Sequence, residues 1–245
     1  MARSCLVAAL CVFVVPRLAA QTNDLRPTTT VTGVATVTNK GMSTIPALTL
    51  GKPAALFYLY VRHGRFGLDP EVRWGLDGKP WAVLFWGRYR MQHDRWSLGI
   101  GGHPALNLKA QTVTLAGSTR EIIVGRRYLV GELTPTYSLN ARANVGVTYL
   151  YLHGVESDVA RHTHFVSLRS LVNVPLGPSY SLRLTPQTYY LWMARREGYY
   201  VYSAATLARR SFPVSLSASV NDPLRSKVPG GTALVWNASA NYAIP

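Results

Sequence analysis

Residues 65–92, RFGLDPEVRWGLDGKPWAVLFWGRYRMQ, constrain this chain more than any other stretch. An Asp77-Gly78 pair sits between two alternating runs, which is the strongest short-range hairpin signal a sequence offers. A two-residue turn at that pair predicts the register. Trp74 faces Trp81, Val72 faces Val83, Pro70 faces Phe85, Leu68 faces Gly87 and Phe66 faces Tyr89. That face is apolar along its length. The opposite face sets Arg65, Gly67, Asp69, Glu71 and Arg73 against Ala82, Leu84, Trp86, Arg88 and Arg90. A register set by the turn alone therefore sorts both strands into an apolar and a polar side.

The apolar face has aromatic rings at both ends, Trp74 with Trp81 near the turn and Phe66 with Tyr89 far from it. The two pairs are roughly 26 Å apart along the strand at about 3.3 Å per residue. A tilt of about 40° leaves roughly 20 Å of height, close to the apolar band between the aromatic girdles of a membrane barrel. A soluble sandwich has shorter strands and no reason to place rings at both ends.

The first twenty residues read as a secretory signal peptide. Arg3 supplies a basic start, 5–15 is an apolar run, and Leu18-Ala19-Ala20 precedes Gln21 as a small-residue cleavage site. The run is too short to span a membrane. Both cysteines, Cys5 and Cys11, lie inside it, so the mature chain is expected to hold no disulfide. No other apolar run approaches the roughly 18 residues of a spanning helix, so a membrane form has to be a closed barrel. Removing Arg3 and Arg17 with the leader leaves 24 basic and 11 acidic residues, a net charge of +13. Such an excess suits nucleic acid, anionic lipid or anionic solutes. Export and the lack of a basic helix with interleaved aromatics argue against nucleic acid. Arginine near strand ends suits lipopolysaccharide phosphates, and arginine inside a pore suits anions.

Alternation recurs along the chain. Strands are expected at 28–39, 54–62, 95–102, 120–139, 142–153, 162–174, 179–192, 197–210, 212–220 and 232–244, besides the two of the hairpin. Tyr180, Tyr190, Trp192, Trp236 and Tyr242 extend the girdles. The segment 103–119 reads as a long irregular connection. Longer connections at 40–53, 103–119, 154–161 and 223–230 alternate with tight turns, as in outer-membrane barrels with short periplasmic turns. The expected fold is all-β: a single antiparallel transmembrane β-barrel of about twelve strands over 21–245, in the cell outer membrane.

The runs Gly51-Lys52-Pro53-Ala54, Gly78-Lys79-Pro80-Trp81 with Leu84-Phe85-Trp86, His103-Pro104-Ala105-Leu106-Asn107 and Thr185-Pro186-Gln187 resemble a family of uncharacterised, porin-like outer-membrane β-barrels of Bacteroidota-type bacteria. The resemblance implies location and fold, with outer-membrane lipid, lipopolysaccharide and the barrel-assembly machinery as partners. It implies no activity. Such barrels commonly finish on an aromatic residue that the assembly machinery reads, whereas this chain ends Tyr242-Ala243-Ile244-Pro245.

Three candidate sites follow. The lumen is expected to hold Arg73, Arg88, Arg90, Arg142, Arg169 and Arg183 with Asp69, Glu71 and Glu132. This set reads either as a salt-bridge network that closes the lumen or as an arginine track that conducts anions. A second group, His153, Glu156, Asp158, His162 and His164, has ligand chemistry but no fixed ligand count, so an exposed polar loop is the expectation. The third is His153 beside Ser157. It has no orienting group, and no G-x-S-x-G motif is present. No catalytic residue, metal or cofactor is expected. The leading function is a passive channel for small, preferably anionic, solutes. The alternatives are a closed structural or interaction barrel acting through its extracellular loops, and a lipid-modifying enzyme.

Overall fold

The computed structural model describes residues 28–115 and 118–245, and the predicted leader lies outside them. Among the described residues twelve strands run in chain order: β1 Thr29–Thr38, β2 Ala54–His63, β3 Phe66–Gly75, β4 Pro80–His93, β5 Trp96–Leu115, β6 Ser118–Asn140, β7 Ala143–Gly154, β8 His162–Leu176, β9 Tyr180–Met193, β10 Arg196–Arg209, β11 Val214–Ser226 and β12 Val235–Ile244. Each pairs antiparallel with its sequence neighbours, and β1 pairs with β12 to close the barrel. The seam runs from Gly33 opposite Ile244 to Thr38 opposite Ser239. Closure leaves no sheet edge along the barrel wall, which is what a hydrocarbon environment demands.

One end carries tight turns between β2 and β3, β4 and β5, β6 and β7, and β8 and β9. The other end carries the longer connections 39–53, 155–161 and 227–234. The long-loop end is the extracellular one by the usual asymmetry of such barrels. The Ala194-Arg195 turn holds two non-glycine residues at positive φ, 51° and 62°, the handedness that matches hairpin twist.

The outer wall is apolar. Phe66, Leu68, Val72, Trp74, Phe85 and Leu216 are all exposed. Rings pair across strands at the short-turn end, Phe66 on Tyr89 and Trp96 on Tyr137, each with centroids 4.9 Å apart. Tyr180 and Tyr242 join this girdle. At the long-loop end Tyr190 meets Tyr199 at 5.1 Å, Trp192 meets His164 at 5.4 Å, and Trp74 and Trp236 are exposed. The hairpin keeps its predicted register from Phe66–Tyr89 to Arg73–Ala82.

Two expectations are corrected. A bulge between Arg73 and Trp74 pairs Trp74 with Pro80, so Trp81 becomes the extra residue of β4. Trp81 therefore turns into the barrel, where it is 2% exposed, and is not part of the girdle. Residues 103–115 are strand rather than irregular loop. Pro104 pairs with Leu129 of β6, while the ladder to β4 is interrupted at 103–104. A proline lacks the N–H that one neighbour needs, so it interrupts one ladder and leaves the other intact. Beyond the rim β5 and β6 continue as a two-stranded ribbon to Leu115 and Ser118.

Phe85 lies midway along the outer wall and is 50% exposed. Phe85→Arg is expected to cost about 2–4 kcal/mol of folding free energy in phospholipid vesicles. Ser217→Arg, on the inner wall, is expected to cost much less. Urea titration of both variants from vesicles checks the sidedness.

Candidate functional site

The lumen divides into two halves of opposite character. In the short-turn half the inner wall is polar and encloses a cavity of about 670 Å³. Ser97 and Gly99 of β5 take up little of this space, and Arg88, Arg90, Glu132, Arg169 and Gln187 project from the surrounding strands. Asp69 organises the charges. It accepts from Arg62 Nη1, from Arg62 Nη2 at 3.0 Å and from Arg88 Nε at 2.9 Å. Arg88 Nη1 also donates to Glu132 Oε1 at 2.5 Å. Arg73 donates to Glu71 on the same strand. The guanidiniums of Arg88, Arg73 and Arg62 lie 4.3, 5.0 and 5.6 Å from the rings of Trp86, Trp81 and Tyr60, a placement that favours a cation. Arg183 donates to Asn173 Oδ1 at 3.3 Å. Among the described residues no carboxylate pairs with Arg90, Arg169 or Arg183.

The long-loop half is packed instead. Tyr128, Val130, Leu152, Phe165, Leu191 and Tyr200 face inward and form a buried cluster with Ile45 and Val228 from two of the loops. The 39–53 connection enters the barrel through a short 3-10 turn, Pro46–Leu48. Trp81 Nε1 donates to Leu48 O at 3.1 Å and fixes this plug to the β4 wall. A Lys52–Asp77 ion pair holds the loop's exit, and the Lys52 ammonium keeps the Asp77 carboxyl below its usual range.

The predicted lumen residues fall as follows. Asp69, Glu71, Arg73, Arg88 and Glu132 are brought together in ion pairs. Arg90 and Arg169 line the cavity. Arg142 does not lie on the inner wall: it sits in the exposed turn between β6 and β7, its backbone N–H bonded to Asn140 Oδ1 at 2.8 Å. The sequence reading missed Arg62, which shares the inward face of Tyr58 and Tyr60. A methyl at Gly67 would come within 2.6 Å of Arg62 Nη1, so glycine makes the space this arginine fills. It also missed Ile45, Leu48 and Val228, because loop residues carry no periodicity to mark their burial.

The histidine group separates. Tyr149 and Tyr151 hydroxyls meet His164 and His162 Nδ1 at 2.9 and 2.7 Å on the outer wall. Glu156 and Asp158 turn away to Arg127 and Arg126, at 2.7 Å each. Hydrogen bonds from those guanidiniums hold both carboxyls below their usual range. His153 stands edge-on to His162 at 5.5 Å. Among the described residues no hydrogen bond joins it to Ser157.

No protein-family model matches the chain, and no curated protein matches it. Solved structures do. The chain is similar to the COG4313 outer membrane channel from Pseudomonas putida F1, at 11% identity and TM-score 0.52, over 92% of this chain and 99% of that one. It is similar to the KdgM porin at 10% identity and TM-score 0.52, covering 86% and 98% of the two chains. The NanC porin matches at 12% identity and TM-score 0.51, covering 86% and 98%. The fold is that of an outer-membrane β-barrel.

The Trp81 contact makes the plug testable. Trp81→Phe keeps an aromatic ring but leaves Leu48 O without its donor, a loss of about 1 kcal/mol. Trypsin is expected to cut the folded variant faster at Lys40 than the parent, read by mass spectrometry, with the barrel still resistant.

Proposed function

We propose that this outer-membrane barrel is a passive porin-like channel for small, preferably anionic, solutes. The observation that carries this reading is the imbalance of charge on the inner wall. Arg62, Arg73, Arg88, Arg90 and Arg169 stand against only Asp69, Glu71 and Glu132, and Arg183 follows on β9, bonded to Asn173. The carboxylates are consumed in the Asp69, Glu71 and Glu132 contacts, while Arg90 and Arg169 border open space. Arginine is always charged and presents a fork that fits carboxylate or phosphate. A row of such groups in a low-dielectric wall draws anions and repels cations.

The plug supports a second reading, a closed barrel that acts through its extracellular loops. The third, a lipid-modifying enzyme, has the least support, since His153 and Ser157 are not joined. The resemblance to barrels of Bacteroidota-type bacteria remains part of the proposal, carried by the short runs named above. So do lipopolysaccharide contacts at exposed rim arginines such as Arg127, and engagement of the assembly machinery through the closing strand.

Planar-bilayer recording under a salt gradient tests the proposal. The protein is expected to conduct, with a reversal potential on the anion side. Arg169→Glu and Arg183→Glu are each expected to shift the anion-to-cation permeability ratio toward cations by roughly twofold or more. A silent bilayer leaves the closed-barrel reading in its place.

A further inference from the structure

The interior of the long-loop half differs around its circumference. On the β4–β10 side it is filled by the apolar cluster and the 39–53 plug. On the side of β1, β11 and β12 the inward residues are small and neutral. A second cavity, of about 300 Å³, runs along that wall from Tyr60, Thr206 and Asn241 up to Thr38 and Met42, and no charged side chain lines it. Tyr60 and Tyr202 also line the arginine cavity below, so the two spaces meet at that pair.

The wall of this lane is bonded to itself. Thr36 Oγ1 donates to Asn241 Oδ1 at 2.9 Å, Asn241 Nδ2 to Ser217 Oγ at 2.9 Å, and Asn237 Nδ2 to Ser239 Oγ at 3.0 Å. Side chains tied together in this way lie flat and leave width where β4 and β8 place Trp81 and Phe165. They also offer spare hydroxyl and amide valences, which replace part of a solute's hydration without binding it tightly, the balance that conduction requires.

We infer that solutes cross the outer half through this lane, off the barrel axis, between Tyr60 and Tyr202 at one end and Met42 at the other, with the plug in place. The inference rests on the channel reading above. The solute it fits is small, hydrophilic and hydrogen-bonding. The arginine cavity selects its charge, and the Tyr60–Tyr202 pair limits its breadth.

The only cysteines of the sequence are Cys5 and Cys11, both in the predicted leader, so single cysteines introduced into the exported protein report on their own positions. Ser217→Cys and Ser239→Cys, treated with a bulky neutral methanethiosulfonate in planar bilayers, are expected to lose roughly half the conductance or more. Leu150→Cys, on the apolar side of the plug, is expected to lose none. Tyr202→Ala is expected to raise conductance and leave the reversal potential where it was. Lane cysteines shown by mass to be modified, yet with conductance unchanged, overturn the route. So does block at Leu150→Cys alone. In either case an anion-selective parent leaves the channel reading standing, whereas a parent that never conducts removes both.

Discussion

In hydrocarbon every backbone N–H and C=O has to find its partner within the protein. The β1–β12 seam is where this chain meets that demand, since it joins the two strands farthest apart in sequence. Side chains reinforce the seam from inside: Thr36 bonds Asn241, Thr38 bonds Asn237 at 2.5 Å, and Asn39 Oδ1 accepts from the Ala238 backbone at 2.9 Å. Once the ring is closed, lipid covers the outer wall and the ladder satisfies the backbone. The interior is then released from the usual duty of a protein core. It can hold charge in one half and packed rings in the other without loss of the fold.

The packed half depends on small changes of direction. One extra residue at Trp81 turns an indole from lipid to lumen and gives the plug its anchor. Tyr200 lies deeper, stacked on Tyr189 at 4.5 Å and bonded to Ser226 Oγ at 2.6 Å. A methyl at Gly231 would stand 2.5 Å from the Tyr200 hydroxyl and 3.1 Å from Pro46, so glycine there allows the 227–234 loop and the 46–48 turn to meet above the ring. The described chain holds no cysteine. Apolar packing of two loops against the inner wall therefore does what a disulfide does in many exported domains, fixing loops that lipid does not touch.

The fold was legible because lipid imposes the same alternation on every strand. Leu216 and Ser217, or Phe85 and Trp86, are told apart by position alone. The site was legible only in part, for three physical reasons. A bulge breaks the period of two locally, and a Trp-Gly-Leu-Asp-Gly-Lys-Pro-Trp run reads equally well with or without one, which is how Trp81 was misplaced. Inward apolar residues such as Phe165 and Leu191 sit in strands whose outward face is also apolar, so hydropathy cannot separate membrane from plug. Pro104 reads as a loop breaker until it is known that only its β4 side lacks a ladder.

The balance of the two halves sets what an anion would meet. The Asp69 and Glu71 contacts absorb Arg62, Arg73 and Arg88 near mid-barrel. Arg90, Arg169 and Arg183 remain; Arg90 and Arg183 lie toward the short-turn ends of β4 and β9, and Arg169 lies midway along β8. Positive charge without a carboxylate partner therefore continues toward the periplasmic mouth, while the β1, β11 and β12 wall offers neutral hydroxyls and amides. A charged ring beneath an apolar plug would present an entering anion with a desolvation barrier before any attraction. A polar lane beside the plug removes that barrier, because hydroxyls and amides stand in for water until the arginines are reached. Ion pairs and Arg169 at mid-barrel, Arg90 and Arg183 below and a neutral wall on one side are thus parts of one electrostatic gradient. On the channel reading, the plug adds stability to that gradient without lying across it.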